Sequence, residues 1–159
     1  MTPRQGDEIG RSIDAATEVE VVRPLELADF LLIAEAVLET PAKKIAEDSN
    51  LHLADSALHA PMAGFGGIEA YPDFATKAAV LCAHLVKNHP LKDGNAPVAL
   101  IATIEFCQRN GHPWLPPADD ADGEVTAAWI NALAAEPLTN EIVDQLSAWI
   151  RERMGANAA

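Results

Sequence analysis

The sequence predicts an all-α domain of about six helices, with one minor pairing of short β-strands. Three observations lead to this fold class. Apolar residues recur at helical spacing along most of the chain. Capping residues, glycines and prolines separate these stretches. Strict alternation of polar and apolar residues is confined to "EVEVV", residues 18–22, which therefore predicts a single short strand.

The chain is expected to form one domain. Its 159 residues, about half of them apolar, can enclose one substantial core. Residues 1–17 are predicted to be a flexible lead, because they carry few apolar side chains to offset the entropy of ordering. The domain is placed at 18–159. After the strand, an amphipathic first helix is predicted at residues 25–39.

The middle of the chain contains the two most apolar helices. Asp55 is a candidate cap for a short second helix that ends near Pro61, and residues 64–67, "GFGG", are predicted to be a loop. The third and fourth helices are expected at about residues 72–88 and 95–110. Helices that are apolar on most faces pack centrally, so both should lie in the core.

The C-terminal third is predicted to contain two further amphipathic helices. Gly111 ends the fourth helix, and residues 112–117 are extended and expected to pair with the strand at 18–22. The acidic run "DDADGE", residues 119–124, lacks the spaced ligands of a calcium loop, so helix capping explains it better. The apolar faces of the last two helices comprise Val125, Trp129 and Leu133, then Ile142, Leu146, Trp149 and Ile150.

Composition narrows the classes of partner. A formal charge of -13 argues against nucleic acids and anionic membranes, whose phosphates are bound by Lys and Arg. Cys82 and Cys107 lie far apart in apolar helical context, which favours reduced core thiols. No stretch approaches the roughly 20 apolar residues of a membrane span, and no apolar signal segment is present. We therefore expect a cytoplasmic protein.

The polar loop between the two apolar helices carries the candidate chemistry. His89 follows a helix C-terminus and could act as a general base. Asp93 could hold Mg²⁺ as an oxygen ligand. Gly94 and Asn95 lead into a helix N-terminus, whose free N–H groups favour anions. These are the parts of phosphoryl or nucleotidyl transfer. His52, His59, His84 and His112 have no metal-ligand spacing and are interpreted as structural or solvated.

The stretch "HPLKDGN", residues 89–95, resembles the signature loop of the Fic/Doc family, which reads His-Pro-Phe-any-acidic-Gly-Asn, then Gly or Lys, then Arg. "ALHAPMAGFGG", "YPDFATKAAVLCAHLVKNHP" and "IEFCQRNGHPW" resemble the corresponding segments of its Doc (death-on-curing) toxin branch. The resemblance implies a single Fic/Doc-like domain in which His89 deprotonates a target hydroxyl and Asp93 binds Mg²⁺. It also implies that Asn95 is catalytic and, with Gly94, shapes the cradle for ATP.

The partners implied by the resemblance are a Phd-like antitoxin and elongation factor Tu, to which Doc transfers phosphate from ATP; Fic relatives transfer AMP. Self-inhibited relatives carry a Ser/Thr-x-x-x-Glu-Gly/Asn helix, and this sequence has no such motif.

The signature loop is degenerate at its phosphate-binding end. Ala96 and Pro97 replace the Lys or Gly and the Arg, and Ala60 stands where relatives often have Arg. Leu91 replaces the anchoring Phe. Lys92 could compensate in part for the lost cations, although a lysine at the variable loop position more often faces solvent. A missing preorganised donor typically costs on the order of 10²-fold in rate. One hypothesis is a Doc-like toxin enzyme with weakened or lost transfer; the other is an inactive homologue that binds an antitoxin or target.

Overall fold

The computed structural model describes residues 21–155, and within this range the chain is all-α apart from one small hairpin. Two 3₁₀ turns, Ala60–Met62 and Ala118–Asp120, complete the secondary structure. The α-helices and strands, in chain order, are α1 Leu27–Leu38, α2 Ala42–Asp48, α3 Leu51–His59, β1 Gly64–Phe65, β2 Ile68–Glu69, α4 Phe74–Asn88, α5 Asn95–Arg109, α6 Glu124–Ala135 and α7 Asn140–Arg153. The predicted fold class is confirmed.

Helix α4 is the centre of the domain and packs against α3, α5 and α7. Eleven of its fifteen residues are buried, including four alanines that allow neighbouring helices to approach closely. The ring of Phe74, at the start of α4, stacks on that of Phe106, near the end of α5, with centroids 5.0 Å apart. The two helices therefore run antiparallel, and the loop of residues 89–94 joins them, as predicted.

The sequence prediction was wrong in one cap and missed one helix. The N-cap of α3 is Asn50, whose Oδ1 accepts a hydrogen bond from the Leu53 N–H at 3.1 Å, whereas Asp55 lies inside the helix. Both residue types cap well, so composition alone does not separate them. Helix α2 has seven residues and buries only Ile45, so it has no apolar stripe to detect.

The predicted strand pairing has a different partner in the described residues. Residues 18–20 lie outside them, and Val21 and Val22 are not in a strand. Trp114 instead forms an antiparallel bridge with Met154. The Leu115 N–H donates to the Arg153 carbonyl at 2.6 Å, so the end of α7 satisfies the extended segment. No helix in the described part of the chain is long and apolar enough to cross a membrane.

The "DDADGE" run caps α6, as predicted. Asp120 Oδ1 accepts hydrogen bonds from the N–H groups of Val125 and Thr126, and its Oδ2 accepts from the Thr126 hydroxyl and, at 2.7 Å, from Arg153 Nε. Burial alone would raise the pKa of Asp120, but these hydrogen bonds outweigh it and lower the pKa to about 2. Trp149 Nε1 donates to the Thr126 hydroxyl at 3.0 Å, and its ring lies under the Arg153 guanidinium. We call these four residues, Asp120, Thr126, Trp149 and Arg153, the buried polar cluster.

The two cysteines are free core thiols, as the sequence predicted. Cys82 lies in α4 and Cys107 in α5, and both are buried. Burial raises the pKa of Cys82 to about 11 and that of Cys107 to about 12. A group with such a pKa is a protonated thiol at neutral pH.

Candidate functional site

His89 ends α4 in a strained backbone conformation. It is the C-cap residue, with φ 50° and ψ 55°, and it shares a positive φ with only one other non-glycine residue of the described chain, Glu39. A left-handed conformation costs an L-residue roughly 1–2 kcal/mol. The side chain is exposed. The structure thus places the predicted general base at the surface, at the point where the chain turns away from α4.

The loop is fastened to the core directly after His89. Pro90 and Leu91 are buried, and Leu91 belongs to the main hydrophobic core with 3% of its surface exposed. The Pro90 carbonyl accepts a hydrogen bond from the Asn50 N–H at 2.9 Å. Leu91 therefore takes the anchoring role expected at the position where the family has Phe.

Asn95 closes the loop with its side chain. Its Oδ1 accepts a hydrogen bond from the Leu91 N–H, and its Nδ2 donates to the Leu91 carbonyl, both at 2.9 Å. The residue is buried. These two hydrogen bonds, which we call the Asn95 clasp, engage both ends of the amide, so the side chain of Asn95 holds the loop.

Gly94 makes the turn into α5 possible. It is the N-cap residue of this helix, with a φ of 80° that favours glycine. A Cβ atom there would lie 2.4 Å from Leu38 Cδ2. The first turn of α5 contains Pro97, which has no N–H, so the free donors at this helix N-terminus are fewer than usual.

Two cavities flank the loop and differ in character. The first, which we call the loop cleft, has a volume of about 280 Å³ and is bordered by Lys92 and Asp93. The remaining residues that line it are Leu38, Thr40, Ile45, Asp48, Ser49 and Leu91. Among the described residues, no group of three or more His, Cys, Asp or Glu side chains could hold a metal ion. The cleft has two exposed carboxylates on its lining, Asp93 and Asp48.

The second cavity, which we call the apolar groove, has a volume of about 500 Å³ and lies at the start of α5. It is lined by Ala96, Pro97, Leu100 and Ile101 of α5, Val37 of α1, and Ala127 and Asn131 of α6. The lining contains no cation. The structure thus separates the predicted site residues: Asp93 faces the loop cleft, Ala96 and Pro97 face the groove, and His89 lies outside the lining of both.

Sequence reasoning missed the walls of both cavities. The segment "VALIATIEF" is apolar enough to predict burial on most faces, yet Ile101 is 41% exposed in the groove. Its spacing of four residues from Pro97, one helical turn, was the available signal. Thr40, Asp48 and Ser49 reach the loop cleft from the region of the undetected helix α2, so no local pattern links them to the loop.

Residues 24–107 match the model of the Fic/DOC family. A curated protein, Toxin Doc from Mycolicibacterium smegmatis (strain ATCC 700084 / mc(2)155), is 42% identical over 59 residues. The match covers 37% of this chain and 45% of that protein, less than half the length of the relative. No solved structure matches the chain.

Proposed function

This chain belongs to the Fic/DOC family, and from that premise we propose that it is a Doc-like protein of a toxin–antitoxin system whose ATP-dependent transfer is weakened or lost. The observation that carries the proposal is the difference between the two ends of the loop. His89 and Asp93, the candidate base and Mg²⁺ ligand, are exposed on a loop that Leu91 anchors, while the N-terminus of α5, where the family resemblance implies a phosphate cradle, opens into an apolar groove.

The side chains of His89 and Asp93 support a transfer mechanism. His89, exposed at the end of α4, would take the proton from a target hydroxyl on a partner such as elongation factor Tu. Asp93 would hold Mg²⁺, which prefers one or two carboxylates together with substrate phosphates; Asp93, with Asp48 also on the lining of the loop cleft, fits that requirement. Bound Mg²⁺ would offset the negative charge of the phosphates of ATP. The Asn95 clasp keeps His89 and Asp93 on one rigid loop.

The phosphate-binding half supports loss of activity. Transfer of a phosphoryl group needs positive charge or N–H donors around its oxygens. Pro97 supplies neither, and Ala96 supplies only its backbone N–H. Leu100, one turn further along α5, lines the groove with an apolar side chain. We therefore infer that ATP binds weakly and that His89 supports little or no transfer.

The apolar groove favours a second candidate function, a binding protein without transfer. A groove with walls from three helices fits the apolar face of an amphipathic helix. A chain with a formal charge of -13 favours basic flanks on that helix. The C-terminal segment of a Phd-like antitoxin is the partner that we propose.

Transfer is tested with labelled ATP, Mg²⁺ and elongation factor Tu. We expect little label on the target with the wild type and none above background with His89→Ala. The double substitution Ala96→Lys with Pro97→Arg restores an N–H and two cations at the helix start. Affinity for ATP should then rise by about 2 kcal/mol, roughly 30-fold, since charge-assisted hydrogen bonds each contribute about that much.

A matched control separates local geometry from added charge. Asn131→Lys places a cation on the opposite wall of the same groove, away from the α5 N-terminus. It should raise the affinity for ATP less than the double substitution does. If the double variant and this control bind ATP no better than the wild type, the missing cations are not the defect and the phosphate argument is wrong.

Binding in the groove is tested by titration with a synthetic amphipathic, basic helical peptide patterned on an antitoxin C-terminus. Ile101→Glu should abolish binding, because it places a charge in the apolar lining of the groove. Leu32→Glu is the control, since Leu32 is also exposed but does not line the groove. Higher salt should weaken binding. Equal loss in both variants would remove the groove as the docking surface.

A further inference from the structure

The hairpin of β1 and β2 is well defined by its sequence but has almost no support from the core. Gly66 and Gly67 occupy the turn with φ of 60° and 81°, as a two-residue hairpin turn requires. Residues 63–70 are all exposed. Phe65 is 91% exposed and Ile68 is 76% exposed, so neither large apolar side chain anchors the hairpin.

Lys77 provides a tie between this hairpin and the core. It lies in the first turns of α4, is 1% exposed, and is the only lysine or arginine besides Arg153 that the described chain buries. Its Nζ donates to Glu69 Oε1 at 2.8 Å and to the Tyr71 carbonyl. Ala70, between these two residues, donates its N–H to the Ala63 carbonyl at 2.9 Å. The ammonium group thus bonds to the residues on either side of Ala70, whose hydrogen bond to Ala63 closes the hairpin.

The ion pair contributes little to global stability. Burying an ammonium group costs several kcal/mol, and a buried pair often recovers no more than that. Glu69 is half exposed, so water competes for its carboxylate. An apolar side chain of similar length would fill the same space at lower cost. What such a residue could not supply is a directional bond to the hairpin.

We propose that Lys77 is a positioning residue that fixes the orientation of the hairpin on α4, so that Phe65 and Ile68 are presented at a defined place on the surface. The role is independent of any transfer activity. It predicts that loss of the ammonium group frees the hairpin locally while the helical core stays intact.

The test is amide hydrogen exchange measured by NMR in Lys77→Met, together with thermal unfolding. Met retains most of the apolar stem and removes the charge. Exchange at the Ala70 N–H should become about tenfold faster, the change expected on losing a charge-assisted hydrogen bond. The melting temperature should stay the same or rise. If exchange at Ala70 is unchanged, the proposal is overturned.

Two further variants keep the test decisive. Glu69→Gln removes the charge of the other partner but keeps an oxygen that can accept from Lys77 Nζ, so this variant should fold even if Lys77→Met does not, and it should also accelerate exchange at Ala70. Lys87→Met is the matched control in the same helix, because its Nζ donates to carbonyls at the end of α6. It should leave Ala70 unaffected. Equal acceleration in all three variants would mean general loosening of α4 and would contradict a positioning role.

Discussion

The loop of residues 89–95 and the buried polar cluster both contain several polar side chains, but the charged groups are buried in the cluster and exposed in the loop. In the cluster, Asp120 and Arg153 are almost fully enclosed, and each bonds to several groups. In the loop, the apolar and amide side chains are buried, while His89 and Asp93 face solvent. Groups whose hydrogen-bonding capacity is taken up by neighbours hold a fold together. Groups that are rigidly mounted but exposed are available for chemistry.

Removing one charge from the buried polar cluster should destabilise the protein more than any change in the loop. Asp120→Ala leaves the Arg153 guanidinium buried without its carboxylate and removes the cap of α6, so the free energy of unfolding should fall by about 3–5 kcal/mol. Denaturant titration measures this loss. Asp122→Ala is the control, because Asp122 is an exposed carboxylate that accepts a hydrogen bond from the Glu124 N–H. Equal losses in the two variants would show that the cluster does not depend on burial.

The loop should be sensitive to substitution at its anchor. Leu91→Asp places a charge in the core and should lower the free energy of unfolding by about 3 kcal/mol. Lys92→Asp, at the adjacent exposed position, should change it by less than about 0.5 kcal/mol. Thermal melts of both variants test this contrast. An unchanged melting temperature for Leu91→Asp would mean that the loop is not held by that side chain.

The left-handed backbone conformation of His89 should lower the free energy of unfolding. His89→Gly removes the strain of a left-handed residue at a helix end, and we expect a gain of about 0.5–1 kcal/mol in the free energy of unfolding, measured by denaturant titration. Glu39→Gly tests the same physics at the end of α1, outside the loop, and should give a similar gain. A loss of stability in His89→Gly alone would show that the imidazole makes a stabilising contact.

The smallest effect is expected at an ion pair of intermediate exposure. Arg109 Nη1 lies 2.8 Å from Asp29 Oδ2, and this hydrogen bond holds the pKa of Asp29 below its usual value. Arg109→Met should therefore cost roughly 0.5–1 kcal/mol at pH 7. The carboxylate contributes its stability above its unfolded pKa, about 3.9, and loses it as pH falls through the lower folded value. The difference between wild type and variant, followed by denaturant titration, should vanish in that range; a constant difference down to about pH 2 would contradict the assignment.

The sequence predicted those features whose determinants lie close together in the chain. Helices α4 and α5 are recognisable because their apolar residues are contiguous, and the loop because seven successive residues carry its motif. The pairing of Asp120 with Arg153 joins residues 33 positions apart, and that of Glu69 with Lys77 depends on how a hairpin folds back on a helix. Neither arrangement has a local pattern. The apolar groove was missed for the same reason, since three separate helices form its walls.

Alkylation of the two core thiols can be used to measure how often the core opens. A thiol-alkylating reagent needs both access and a thiolate, and burial withholds both from Cys82 and Cys107. Both residues are buried on the helices that the loop connects, so neither can be labelled until the core opens around it. The rate of alkylation under native conditions therefore counts the opening events of the core, without an introduced probe.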